Sequence, residues 1–133
     1  MRGLVPTLNG IQAEYRGRCD FLLVYIEEAH AVDEWPISSA RYNGAHGAVA
    51  LPQARSTRQR ADAARQLVGN LGVHLPVALD GADNAFSAAF SPWPFRFYVL
   101  KGRTLVYKAM PRGCTYDVGE LRAAIEAHCD DSL

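Results

Sequence analysis

The six consecutive apolar residues Phe21-Leu22-Leu23-Val24-Tyr25-Ile26 constrain this chain more than any other feature. A strand with one wet face alternates polar and apolar side chains. A run with no polar break reads instead as a strand buried on both faces, as in a parallel sheet covered by helices. The flanking segments agree. Before the run, Leu4, Val5, Leu8, Ile11, Gln12 and Tyr15 trace a helical stripe, and Gly17 suits its C-terminal cap. After it, Glu27 to Arg55 is a long irregular stretch broken at Trp35-Pro36, Asn43-Gly44 and Leu51-Pro52. Loops of this length inside one domain are commonly functional.

Beyond the loop, Ser56 or Thr57 can cap a helix. Its Ala61, Ala64, Leu67 and Val68 are expected to face inward, with Arg58, Arg60 and Arg65 in water. Leu75 to Asp80 reads as a short strand, Asn84 to Phe90 as a short helix, and Ser91-Pro92-Trp93-Pro94 as a turn. Strands are expected at Phe95–Leu100 and Thr104–Lys108, with Lys101-Gly102-Arg103 as the hairpin signal. Tyr116 to His128 is amphipathic, with Val118, Leu121, Ala124 and Ile125 inward.

The order α-β-loop-α-β-α-β-β-α predicts one α/β domain over residues 1–133, a mixed sheet with helices on both faces. It matches the thioredoxin-like three-layer α/β/α arrangement with the first strand missing. That fold sets its reactive sulfur at the N-terminus of the first helix, where the dipole and free N–H groups favour a thiolate. A cis-proline lies opposite, and Pro94 holds that place, so a cis peptide is expected there. Without the first strand, open edges and apolar surface predict marginal stability or self-association, and a homodimer is among the expectations.

Composition removes several function classes. Fourteen basic residues balance fourteen acidic ones, so no net field draws the chain to nucleic acid or anionic membrane. No apolar run approaches the ~20 residues of a membrane span, and residues 1–15 do not read as a signal peptide, so a cytoplasmic protein is expected. Cys19, Cys114 and Cys129 include no C-x-x-C. His30, His46, His74 and His128 are scattered without H-E-x-x-H. No metal site and no bound cofactor is expected.

Tyr25-Ile26-Glu27-Glu28-Ala29-His30, followed by Asp33-Glu34-Trp35, closely resembles the segment YIEEAHPSDGW of the iodothyronine deiodinases. Leu51-Pro52-Gln53-Ala54-Arg55 is similar to that family's IPQHR, and Arg60–Leu67 to its following helix. Phe97-Tyr98-Val99-Leu100 resembles its LYVI strand, and Arg112-Gly113 with Tyr116 its late RG…Y loop. The resemblance implies reductive removal of iodide from iodothyronines or related aryl halides, with a selenocysteine or cysteine nucleophile and a thiol reductant as electron donor. It places that nucleophile a few residues before Met1. It nominates His30 as proton donor, Glu28 and Tyr25 as its partners, and Arg112 as a cation for a substrate carboxylate. Trp35 and Tyr42 can offer faces to aromatic rings.

Ordinary readings stand beside these. His30 can be solvated, Glu27 and Glu28 a plain acidic pair, Tyr25 a core residue and Arg112 a loop cation. Cys114 can be a resolving thiol or a free cysteine. Ala54 replaces the histidine of IPQHR and Ala31-Val32-Asp33-Glu34-Trp35 replaces PSDGW, departures that bear on hormone-like specificity. Two competing functions share the element order: a peroxiredoxin-like or thiol–disulfide oxidoreductase, and a non-catalytic thioredoxin-like module.

Overall fold

The computed structural model describes residues 2–36, 51–113 and 115–129. Tyr42, His46 and Cys114 lie outside them. A 3-10 turn at Arg2–Leu4 leads into α1 (Val5–Glu14), with Pro6 in the first turn, where its missing N–H costs nothing. Then come β1 (Leu23–Tyr25), α2 (Thr57–Leu71), β2 (Val77–Leu79) and α3 (Ala85–Phe90). The hairpin β3 (Tyr98–Lys101) and β4 (Thr104–Lys108) precedes α4 (Val118–His128). The element order is the one expected, with strands shorter than their apolar runs.

Local chemistry explains the boundaries. The Ser56 hydroxyl accepts from the Gln59 N–H at 3.2 Å, while the Gln59 side chain accepts from the Arg55 N–H at 2.7 Å. This reciprocal arrangement starts α2 in the manner of a capping box. Gly72 stops it at φ 62°, a left-handed conformation that costs a side-chain-bearing residue more. Asn9 of α1 then ties down the turn, donating to the Gly72 carbonyl at 2.8 Å and accepting from the His74 N–H at 2.9 Å.

One expectation fails here. Among the described residues the strands form two separate two-stranded sheets, not a single mixed one. β1 pairs parallel with β2, Val24 opposite Ala78, and β3 pairs antiparallel with β4, with a bulge between Val99 and Leu100. The reason is visible in the ladder. The Leu23 N–H and Tyr25 C=O bond toward β2, so in a parallel strand the Val24 groups face the opposite edge, where β3 does not pair.

Each sheet has its own core. Tyr25, Leu51, Ala63, Ala64, Leu67 and Val73 gather α2 onto β1–β2, with Val5 from the start of α1. Ile11 and Tyr15 from the end of α1 join Leu121 and Ile125 of α4 over Phe97, Val99 and Tyr107 of the hairpin. Helix α1 therefore serves both cores. Phe95, Phe97 and Tyr116 add edge-on ring contacts with centroids 4.8–6.0 Å apart.

A second expectation is corrected. Arg60 is not solvated but 3% exposed. Its Nη1 donates to the carbonyls of Asp80 and Gly81 at 3.0 and 2.7 Å and to Asn84 Oδ1 at 2.9 Å. Helical periodicity could not show this, because the acceptors come from the turn between β2 and α3. Asp80 is also buried, and its carboxylate accepts from the N–H groups of Phe86 and Ser87 and from the Ser87 hydroxyl at 2.7–3.0 Å. Burial pushes the Asp80 carboxyl up, but those donors together with Arg60 outweigh it and hold it below its ordinary value.

Candidate functional site

The site begins where β1 ends. Tyr25 is 6% exposed, packed in the first core, and its hydroxyl donates to the Glu28 carboxylate. The core reading of Tyr25 thus describes its ring, while its oxygen rests on Glu28. Burial first, then the hydrogen bond and charge of Glu28, raise the Tyr25 phenol well above its ordinary value, against the pull of Arg2 and Arg60. The phenol stays a neutral donor at any physiological pH. The Arg2 guanidinium lies 4.0 Å from the other Glu28 oxygen.

Gln53 holds this turn from across the loop. Its Oε1 accepts from the Glu28 N–H at 3.1 Å, and its Nε2 donates to the Glu28 carbonyl at 2.9 Å and to Glu34 Oε2 at 3.1 Å. Its own backbone N–H donates to Asp33 Oδ1 at 2.8 Å. That bond lowers the Asp33 carboxyl below its usual range, with help from Arg55. Arg55 also lies 3.6 Å from both Asp33 and Glu34. Glu34, which stands where the resembling motif has glycine, is thus used to fasten the loop. Ala31, 1% exposed, pins it from within, and the Val32 N–H donates to the Leu51 carbonyl at 3.0 Å.

His30 follows two residues after Glu28, but its polar contact is elsewhere. Its Nδ1 is 3.1 Å from the Trp35 carbonyl, and its ring lies 5.2 Å from the Trp35 indole. A carbonyl only accepts, so Nδ1 carries a proton and Nε2 is the nitrogen left to exchange one. Trp35 itself is 65% exposed.

The six nominated residues thus divide. Tyr25 and Glu28 are bonded to each other, and His30 and Trp35 are bonded to each other, with Gln53 bracing the turn between the two pairs. Pro94 follows a cis peptide from Trp93, as expected, just ahead of β3. Arg112 is on the other sheet's side, its Nη2 2.8 Å from Glu120 of α4 and its backbone bridged to Thr115. Among the described residues, no hydrogen bond or ion pair joins Arg112 to the Tyr25–Glu28 turn. Sequence reasoning missed Arg2 and Arg60 beside Tyr25, since nothing in their spacing marks them. Gln53 was visible only as part of the Leu51–Arg55 segment.

Among the described residues, no group of three or more His, Cys, Asp or Glu side chains could hold a metal ion, and no helix is long and apolar enough to cross a membrane.

Comparison with known proteins identifies the lineage of this arrangement. The family model for iodothyronine deiodinase matches residues 5–129. A thyroxine 5-deiodinase of Gallus gallus is 34% identical over 118 residues, covering 89% of this chain and 43% of the relative. The type I iodothyronine deiodinase of Xenopus laevis is 32% identical over the same shares. The thyroxine 5-deiodinase of Homo sapiens is 36% identical over 121 residues, 90% of this chain and 36% of the relative. The chain spans about two fifths of the length of these relatives, and the matched residues include the whole Tyr25–Trp35 turn with Gln53. This chain belongs to the iodothyronine deiodinase family.

Proposed function

We propose that the chain supplies the proton-handling and substrate-facing residues of a reductive deiodinase whose selenocysteine or cysteine nucleophile lies upstream of residue 1. The observation that carries this is the braced turn after β1, with Tyr25 on Glu28 and His30 held at Nδ1, inside the residues that the family model matches. The nucleophile attacks the iodine of an aryl iodide. The carbon–iodine bonding pair goes to the ring carbon, which takes a proton from His30 Nε2, and the enzyme is left with a selenenyl or sulfenyl iodide. One thiol displaces iodide to give a selenenyl sulfide or mixed disulfide, and a second thiol frees the nucleophile, the reductant leaving as its disulfide. Glu28, oriented by Tyr25 and Gln53, sets the turn and its charge beside the histidine.

Trp35 offers an exposed ring face next to His30, which suits an iodinated aromatic ring. Pro94 belongs to the segment leading into β3 that would flank the substrate. Arg112 would exchange the Glu120 carboxylate for that of the substrate. The thioredoxin-like arrangement belongs to the same proposal: one added strand between β1 and β3 would join the two sheets into a mixed one. So do the cytoplasm as the site of action, a low-molecular-weight thiol as donor and a homodimer as the assembly.

The test is expression with the upstream coding sequence, then measurement of iodide release from an iodothyronine and from a simple aryl iodide in the presence of thiol. Activity is expected, and His30→Ala should lower kcat on the order of 100-fold. Reduction of peroxide or disulfides without iodide release would replace this reading with a general thiol oxidoreductase.

A further inference from the structure

At the far end of α1 from the Tyr25–Glu28 turn, two cysteines 110 residues apart in sequence come to one apolar cluster. Cys19 sits in the turn after α1, its N–H donating to the Tyr15 carbonyl at 3.2 Å. Cys129 ends α4, its N–H donating to the Ile125 carbonyl at 2.7 Å. Both side chains are half-buried and pack on the cluster of Ile11, Tyr15, Leu121 and Ile125. The Cys129 Sγ lies 3.9 Å from the carbonyl of Arg18, the neighbour of Cys19, and both cysteine side chains rest on that one cluster. We infer that Cys19 and Cys129 are a dithiol–disulfide pair, closed by exchange with a small-molecule disulfide to fasten the end of α4 to the turn between α1 and β1.

The reduced protein already holds the sulfurs in place. Tyr15 donates to Glu126, Arg18 lies 3.5 Å from the same carboxylate, and Arg122 of α4 pairs with Glu14 of α1. Three independent contacts therefore clamp α4 to this corner before any covalent bond forms. The ten residues of α1 rise about 15 Å, which separates the corner from the Tyr25 end of the molecule. The inference does not depend on the deiodinase reading.

The exchange balances without a bound cofactor. The Cys129 thiolate attacks one sulfur of the small disulfide and expels the other as a thiolate, which takes a proton. The Cys19 thiolate then attacks the Cys129 sulfur and expels the second small thiol. Two protein S–H bonds are lost, one S–S bond forms, and two electrons leave with the oxidant as two thiols. Burial first, then the contact with Cys129, push the Cys19 thiol up to about 12, with Arg18 lowering it and Asp20 raising it. Once Cys129 carries the mixed disulfide, the part of that rise owed to Cys129 is gone, while the part owed to burial remains. In a reducing compartment the pair stays open, and it closes as the disulfide-to-thiol ratio rises.

The decisive experiment treats the 133-residue chain with glutathione disulfide in native buffer and in concentrated urea, traps free thiols by alkylation and maps the peptides. The expected native product has lost two of its three thiols and carries a Cys19–Cys129 cross-link within one chain. Closing a loop of about 110 residues should raise Tm by roughly 10 °C, reversibly with dithiothreitol. Cys114→Ser should keep the shift, and Cys19→Ser or Cys129→Ser should abolish it. In urea the shorter Cys114–Cys129 loop should dominate instead, because loop closure then decides the pairing. A native map led by Cys114, an intermolecular cross-link, a stable mixed disulfide alone or an unchanged thiol count would each overturn the inference. Activity enters none of these readouts, so a failed deiodinase assay leaves the result standing.

Discussion

Two tyrosines in this molecule do the same local thing and mean different things by it. Tyr15 and Tyr25 are both buried, and each donates its hydroxyl to a glutamate. Tyr15 reaches Glu126 across 111 residues, and its partner is surrounded by Arg18 and Arg122 in a clasp between α1 and α4. Tyr25 reaches Glu28 only three residues away, at the open end of a parallel strand, with Gln53 bracing the turn and His30 next in line. A buried tyrosine on a carboxylate is therefore no mark of chemistry by itself. What separates the pairs is whether the bond closes the fold over distance or shapes a turn beside a group that can exchange a proton.

The largest expected effect lies beneath the Tyr25 pair. Arg60→Leu removes three hydrogen bonds and strands two carbonyls and the Asn84 amide oxygen in a buried turn. Stability measured by urea unfolding should fall by about 3 kcal/mol. The pH dependence sharpens this. The folded Asp80 carboxyl is held below its unfolded value of 3.8, so its contribution is complete above that pH and is lost as the pH falls through the folded value. With Arg60 gone the depression shrinks, so the stability lost between neutral pH and acid should be smaller in the variant than in the parent.

Next come the two tyrosines themselves. On the proposed reading, Tyr25→Phe in the upstream-extended protein should lower kcat on the order of 100-fold with KM nearly unchanged. Tyr15→Phe should leave kcat alone and cost about 1 kcal/mol of stability by urea unfolding. Reversed results, with Tyr15 controlling turnover and Tyr25 only stability, would break the comparison. Ultraviolet titration offers a finer division. Both phenols are raised, so their stabilisation is complete below the unfolded value of 10.0 and is lost as the pH climbs beyond it. The leading cause differs, being the Glu126 hydrogen bond for Tyr15 and burial for Tyr25. Glu126→Gln should therefore bring one phenol back toward normal titration, while Glu28→Gln should leave its phenol late.

This division also marks what the chain's letters could reveal. The apolar run Phe21–Ile26 announced β1, the Lys101-Gly102-Arg103 link announced the hairpin, and Ser56 announced the start of α2, because each is a local signal with a local cause. The Tyr25–Glu28 bond was within reach, since three residues separate the partners and the surrounding motif was distinctive. Arg60 was misplaced for the opposite reason. Its helical position says water, and only the turn at Asp80–Asn84, folded back from twenty residues on, supplies the acceptors. The split into two sheets was equally hidden, since strand pairing depends on which edges come together in space. His30 was nominated by motif, but its bond to the Trp35 carbonyl depends on a loop conformation that no spacing rule encodes.

The smallest effect tests the remotest of the nominated residues. Arg112 is 79% exposed along its side chain and paired at 2.8 Å with Glu120, in the first turn of α4. Such a pair contributes little to stability, so Glu120→Gln should shift the unfolding free energy by less than about 0.5 kcal/mol. Its functional consequence has the opposite sign to a stability defect. If Arg112 takes the substrate carboxylate, removing its resident carboxylate frees the guanidinium, and KM for a carboxylate-bearing iodide should drop about two- to three-fold. A decarboxylated analogue should show no such gain, because it offers the released cation nothing to bind. An equal fall in KM for both substrates would take Arg112 out of the site and leave it a surface partner of α4, on the structural side of the comparison with Tyr15 and Glu126.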